Sequence, residues 1–280
     1  MSSPADLRDS ELRRLAREVA ASGETAPLGV YLFRSEDPGA ALARHVERVV
    51  FLETFGNTPE LLAKEYEPYD EASMFICVVD HLRSLPAGTM RILVPSESGF
   101  KTIHDAAPVW GESIQTMAMR TGLDIDLART WDIATLAVAP EYRGKATMGL
   151  VSMGLYQALA LASPRYGIDW LLAILDVPVF RMIRWQLRMP MAGFQGVTAR
   201  PYLGSPASMP VWCNVGDTDR RLAQSDPELH ALYFGGVGME PAVRPLDLDP
   251  SLDTSLDLDA PYETEPSSTS SVCFHSELTT

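Results

Sequence analysis

The chain has 280 residues, 46% of them hydrophobic, and its 23 Lys and Arg stand against 37 Asp and Glu for a formal net charge of −14. That apolar content can fill a core, which excludes wholesale disorder. The acidic balance disfavours a general nucleic-acid binder and docking on an anionic membrane surface, both of which need clustered Lys and Arg.

The three cysteines, Cys77, Cys213 and Cys273, are far apart and lack C-x-x-C spacing. That argues against a disulfide scaffold or a Cys-rich zinc module and fits a reducing compartment. Residues 1–19 are polar and charged, without the apolar stretch of a secretion signal. The longest apolar runs, such as 170–175, fall short of the ~20 residues that span a bilayer. A soluble, cytoplasmic protein is expected.

In chain order, residues 6–22 read as an amphipathic helix, with Leu7, Leu12, Leu15, Ala16 and Val19 on one stripe and Gly23 as its stop. Residues 30–33 form a short strand candidate. Residues 39–55 read as a helix, with Leu42, Val46, Val49 and Val50 at helical spacing. The nearly all-apolar segment 74–79 has the pattern of a buried strand, and 88–94, across a Pro/Gly turn, is its expected antiparallel partner. Further on, 112–127 reads as helix, 131–138 as strand, 146–162 as a long helix, 170–175 as strand and 179–187 as helix. Short strands at 194–198 and 211–215 and a helix at 227–234 complete the set. An antiparallel pair followed by alternating strands and helices predicts a mixed α/β domain, largely antiparallel then parallel, with one sheet covered by helices.

The last forty residues, 241–280, hold one basic residue, Arg244, and eight acidic ones, so half of the net charge lies there. Low complexity, Pro and a single charge sign predict a segment that does not fold. The expected organisation is therefore an N-terminal helix and linker over 1–29, a catalytic-sized domain over 30–240, and an acidic tail over 241–280.

The most informative stretch runs from Leu136 to Leu150. A strand ends at Val138, a loop follows with Arg143, Gly144 and Lys145, and an apolar helix begins. Unpaired N–H groups at a helix N-terminus favour an anion, and two cations beside them suit a pyrophosphate.

This loop resembles the acyl-carrier loop of the GNAT (Gcn5-related N-acetyltransferase) superfamily, [Q/R]-x-x-G-x-[G/A]. Arg143 takes the first position, Ala146 and Met148 stand where glycine or a small residue is usual, and Gly149 follows. More narrowly, the chain resembles the autoinducer (acyl-homoserine-lactone) synthase and N-acyl amino acid synthase branch. The pieces are Val50-Phe51-Leu52-Glu53-x-Phe55-Gly56, Tyr69-Asp70, Asp80, Gly88-x-x-Arg91, Trp131-Asp132-x-x-Thr135-x-x-Val138, Ala192-Gly193-Phe194 and Arg200-x-Tyr202-x-Gly204. Two departures stand out. The branch's strand Glu-x-x-Arg is here Asp132 and Thr135, and the tyrosine acid that many GNAT enzymes place after the fifth strand has Ile183 and Trp185 in its neighbourhood.

The resemblance implies a GNAT-like fold and transfer of an acyl group, by direct attack, from acyl-CoA or acyl-phosphopantetheine to the amine of a small amino-acid-like acceptor. Acyl-carrier protein is an optional donor, and Arg181, Arg184 and Arg188 on one helix face are a candidate dock for it or a solvated surface. Carrier binding falls to the backbone of Ala137 and Val138 and to Arg143, Gly144, Lys145, Ala146, Thr147, Met148 and Gly149.

N-acyl transfer needs a proton acceptor and donors to the developing oxyanion. Asp132 is the candidate base, ion-pair organiser or strand-end cap. Strict alternation would put it on the same face as Val138, six residues on, whose N–H could serve the oxyanion. Glu53 and Asp70 belong to the implied acceptor pocket, and Arg91 could bind an acceptor carboxylate or serve as a salt-bridged strand residue. His104 beside Asp105 is a weaker base candidate. No metal is expected, since no H-x-E or H-E-x-x-H spacing occurs. The alternative is a GNAT-like binding or scaffold domain that has lost catalysis and uses its acidic tail for a partner.

Overall fold

The computed structural model describes residues 8–20, 25–144 and 147–248. The elements in chain order are α1 (Asp9–Val19), β1 (Leu28–Arg34), α2 (Ala40–Phe55), α3 (Pro59–Tyr66), β2 (Ser73–Asp80), β3 (Leu85–Leu93), α4 (Lys101–Trp110), α5 (Ile114–Thr121) and β4 (Thr130–Val138). The second half contributes α6 (Leu150–Arg165), β5 (Trp170–Asp176), α7 (Val177–Trp185), β6 (Ala192–Gly193), β7 (Arg200–Tyr202), β8 (Ser205–Asn214), α8 (Val215–Ser225), α9 (Pro227–Tyr233) and β9 (Val243–Arg244). They build a single mixed sheet in the order β6-β8-β5-β4-β3-β2-β1-β9, with β7 added to β8. Strands β1 to β4 run antiparallel to one another, and β4 and β5 are parallel.

Both faces of the sheet are covered, which is why β2 is buried along its whole length and reads as one apolar run. On one face α1 and α2 pack Leu12, Leu15, Ala40, Leu42 and Ala43 against Phe75, Cys77 and Val79. Further along that face α4 and α5 bury Ala106, Trp110, Ile114 and Met117 around Leu172. The other face carries α6, whose Gly154 lets the helix approach Val30 and Val78 closely. This helix is buried on most of its circumference, so it reads as uniformly apolar rather than amphipathic. Helix α9 packs behind it, with Gln157 Nε2 donating to the Leu232 carbonyl at 2.6 Å.

Several expected elements differ. The helix read at 112–127 is shorter, Ile114–Thr121, because Gly122 takes a left-handed C-cap; α4 precedes it, interrupted as a sequence pattern by Pro108. Helices α3 and α8 were not anticipated from periodicity: α3 is one short N-capped segment, and α8 is mostly polar. Residues 194–198 are not a strand. The chain pairs there only through Ala192–Gly193 before turning back to β7. Helix α6 starts at Leu150, later than 146, since Gly149 adopts φ 82° at its N-cap.

The tail expected from Pro241 folds over 241–248. Val243 and Arg244 pair in parallel with Leu28 and Gly29, and Val243 and Leu246 are buried. Residues 1–7, 21–24, 145–146 and 249–280, including Cys273, lie outside the described residues. No described helix is long and apolar enough to cross a membrane.

Candidate functional site

Strands β4 and β5 pair only from Thr130–Trp170 to Ile133–Ala173. Beyond that point each follows its outer neighbour: Thr135 to Val138 stay with β3, and Ile174 to Asp176 stay with β8. The two strands therefore fork, and the inner edges of both present peptide groups without a strand partner. The fork opens into a cleft lined by Phe51 and Phe55 of α2, Tyr66, Thr135, Leu136 and Asp176, and roofed by the β7–β8 turn at Tyr202 and Leu203.

A bulge shapes this fork. Arg91 pairs with Thr135 but Ile92 pairs with Ile133, so Ala134 is an extra residue on β4. The strict alternation expected between Asp132 and Val138 is thereby broken, and the two face opposite sides of the sheet. Val138 lies opposite Gly88, whose Cβ would meet Val151 of α6 at 2.5 Å, whereas Asp132 points to α4. Asp132, Thr135 and Arg91 share a face for the same reason.

On that face sits a buried ion network. Arg91, 4% exposed, grips Glu47 with both prongs, Nε to Oε1 at 3.0 Å and Nη2 to Oε2 at 2.6 Å. Its Nη1 donates to Ser73 Oγ at 3.2 Å and approaches Asp70 at 3.4 Å, while Arg44 closes on Asp70 at 2.9 Å. The guanidinium lies over the rings of Phe75 at 4.7 Å and Tyr66 at 5.2 Å. Burial pulls the Arg91 pKa down, but the charge and hydrogen bonds of Glu47, with Asp70, more than reverse it, so it stays cationic. Thr135, which stands where the resemblance puts an Arg, donates its hydroxyl to Glu47 Oε1 at 2.6 Å. Two cations and two carboxylates thus satisfy one another.

A second cluster adjoins it. Lys101, 3% exposed, donates to Glu65 and, at 2.8 Å, to Asp105, which also accepts the Tyr202 hydroxyl. Its ammonium is 5.4 Å from the Tyr66 ring centre. The cluster has one more carboxylate than it has cations. Burial and the Asp105 charge push the Tyr202 phenol far above its usual pKa, so it stays protonated and donates to Asp105.

The sequence-predicted residues are brought together unequally. Asp70 and Arg91 meet in the network. Asp132 is fully buried and outside the cleft lining; its two oxygens accept Thr102 N–H at 2.8 Å and Thr102 Oγ1 at 2.6 Å, tying the start of α4 to the sheet. Burial raises its pKa to about 6 against the pull of those hydrogen bonds. Glu53 is exposed at the end of α2 and apart from the network; the carboxylate that reaches Arg91 is Glu47, nearly two turns earlier, masked in the sequence because a buried Glu on an apolar stripe reads as a surface charge. His104 and Asp105 diverge: His104 Nδ1 lies 2.7 Å from the Tyr69 hydroxyl.

In the loop after β4, Arg143 Nε donates to the Val138 carbonyl at 2.8 Å and Nη2 reaches Thr54 Oγ1 at 3.3 Å. Thr147 Oγ1 donates to the Tyr142 carbonyl at 2.7 Å, Gly144 has φ 63°, and Met148, at φ 50°, is exposed. Gly149 offers α6 no side-chain cap, and the Leu150 N–H turns back to the Thr147 carbonyl at 3.0 Å. Lys145 and Ala146 fall outside the described residues. Ala137 is buried in the core. Residues missed by sequence reasoning are Glu47, Lys101 and Asp176; Tyr202 stood in the resembling piece Arg200-x-Tyr202-x-Gly204 without a role, and for Asp176 the available signal was a carboxylate closing an apolar strand that feeds a helix. Among the described residues no group of three or more His, Cys, Asp and Glu is placed to hold a metal ion.

No family model and no curated protein matches the chain. Solved structures do. A CoA-dependent acyl-homoserine lactone synthase, BjaI, solved with SAM and isopentyl-CoA, aligns with TM-score 0.54 at 16% identity over 82% of this chain and 98% of its own. FeeM, an N-acyl amino acid synthase from uncultured soil microbes, aligns with TM-score 0.52 at 12% identity over 72% and 99%. The AHL synthase LasI aligns with TM-score 0.50 at 14% identity over 77% and 99%. The fold, an open mixed sheet forked between two parallel strands and flanked by helices, is the GNAT-like fold of these synthases.

Proposed function

We propose that the chain is an N-acyltransferase that moves an acyl group from a phosphopantetheine thioester to the amine of a small amino-acid-like acceptor. The observation that carries this reading is the fork between β4 and β5, which opens an apolar cleft and leaves the inner edge of β4 without a strand partner. A thioester arm laid along the free edge of β4 would find backbone partners there, and its phosphates would find the α6 amides and the Arg143 guanidinium. Acyl-CoA is the preferred donor, supported by the isopentyl-CoA carried by BjaI; acyl-carrier protein remains a donor to be tested. The cleft lining holds the Asp176 carboxylate and no Lys or Arg, which favours a cationic acceptor, and the SAM bound to BjaI is of that chemistry.

The neutral amine attacks the thioester carbonyl in a ternary complex. The C–N bond forms, the C–S bond breaks, and the thiolate leaves protonated. In this scheme Asp132 is a positioning residue: it anchors α4, and through α4 the Lys101–Asp105–Tyr202 chain that borders the cleft. Asp70 and Arg91 shape the acceptor side by holding α2 against β3.

The test is direct. The purified chain is mixed with acyl-CoAs of graded length and with SAM or L-amino acids, and both free thiol and acyl-amide are measured. Expected are acceptor-dependent thiol release and a rise of about tenfold in the KM for acyl-CoA on Arg143→Ala, the worth of one charge-assisted contact. No thiol release with any donor, together with no stabilisation of the protein by acyl-CoA or acyl-carrier protein, overturns the enzyme reading in favour of a binding domain.

A further inference from the structure

Among the residues that line the forked cleft, Asp176 is the one carboxylate, and no Lys or Arg lines it. It closes β5 just where that strand has left β4, opposite Ser208 on β8. Its position is also the N-cap of α7, where an Asp normally accepts a hydrogen bond from the first turn of its helix. Here it makes no such bond. Its Oδ1 accepts instead from Ser205 Oγ, across the mouth of the cleft on the turn into β8, and no described Lys, Arg or His pairs with it. A half-buried carboxylate that forgoes its cap, has no cation, and faces an apolar cleft lacks a positively charged partner. The other titratable groups of the lining are Tyr66 and Tyr202, both held neutral by burial.

We propose that Asp176 is a catalytic residue: it seats the ammonium of the acceptor and receives a proton from the attacking nitrogen. This rests on the acyl-transfer reading above. The acceptor enters as an ammonium held by Asp176 and loses one proton to solvent through the open cleft. The amine then attacks the thioester carbonyl. As the C–N bond forms, the nitrogen becomes acidic and passes its second proton to the Asp176 carboxylate. When the C–S bond breaks, that proton goes to the departing sulfur, so the products are amide and free thiol and Asp176 ends ionised. Ser205 keeps one carboxylate oxygen fixed, which leaves the other for the acceptor.

The experiment uses the full chain carrying Asp176→Asn, Ser205→Ala or no substitution, an acyl-CoA donor, and whichever of SAM or the L-amino acids wild type accepts. Asn keeps the size and the Ser205 contact but removes the charge. Expected is a fall of about 10²-fold or more in kcat/KM for the amine, a raised amine KM, a KM for acyl-CoA within about twofold of wild type, and a pH–rate profile changed from that of wild type. Ser205→Ala is expected to lie between the two. Thermal unfolding checks that each variant is folded; if the Asn variant is not, Asp176→Ser, which suits a helix N-cap, carries the same expectation. Acyl transfer by wild type with an unchanged amine KM and pH profile in the charge-removing variant overturns this assignment and leaves the proposed function standing. Absence of transfer by wild type overturns both.

Discussion

At the scale of single residues, the stability of the site turns on which charges are buried in pairs. Arg91 is held by Glu47 through two hydrogen bonds and by two aromatic faces, with no solvent to replace them. Arg91→Ala strands the Glu47 carboxylate in the core, and removal of one partner of such a pair costs about 3–5 kcal/mol. Urea unfolding is expected to show a loss in that range, with Glu47→Gln alone less damaging because Thr135 and Arg91 can still bond its side chain.

Asp132 has the opposite character. Its pKa is raised from 3.8 to about 6, so the native state binds a proton there more tightly than the unfolded chain. Its contribution to stability is fully present below about pH 4 and is lost as pH rises through 6. Asp132→Asn, which can accept from Thr102 N–H and donate to Thr102 Oγ1, is expected to remove that slope between pH 4 and 6 and to equal or exceed wild-type stability at pH 7. A variant that keeps the slope would show that another group titrates there.

At the scale of elements, the cleft depends on how the β7–β8 turn is clasped to the far side of the fork. Asn57, just after α2, donates to the Leu203 carbonyl at 3.2 Å, and Gly204 sits at φ 85° with the Phe55 carbonyl oxygen 2.4 Å from where a Cβ would be. Only glycine meets both the left-handed backbone and that approach. Gly204→Ala is expected to cost about 1–3 kcal/mol through the clash and to speed hydrogen exchange over 200–205 while leaving β2 and β3 protected.

The elements that sequence patterning found are those whose burial imposes a period. Strand β2, helix α2 and strand β5 each have a face or a whole length in the core, and their apolar spacing says so. Helices α3, α4 and α8 are short, carry Pro at or within them, or show a polar face to solvent, so their spacing is weak. The candidate site was legible in the same measure. Asp70 and Arg91 were marked by the pieces Tyr69-Asp70 and Gly88-x-x-Arg91 that resemble the synthase branch, whereas Glu47 lay hidden on a helix that also carries apolar core residues.

At the scale of the whole molecule, half of the net charge of −14 lies in residues 241–280. The fold continues past Pro241 far enough for β9 to cover the open edge of β1 and for Leu246 to be buried. A chain ending at Met239 is expected to melt several degrees lower than one ending at Leu248, since it exposes the β1 edge and the Val243 and Leu246 contacts.

The sequence by itself determined the class of the fold, the helix-covered sheet and the loop between β4 and α6, because hydrophobic period and turn residues are local properties. Only the tertiary structure decided which carboxylate meets Arg91, that one bulge residue sends Asp132 to α4 instead of the face of Val138, and that Asp176 lies in the cleft. Each of those depends on register or on a partner more than thirty residues away or across the sheet, and a one-residue shift in register reverses which face a side chain takes.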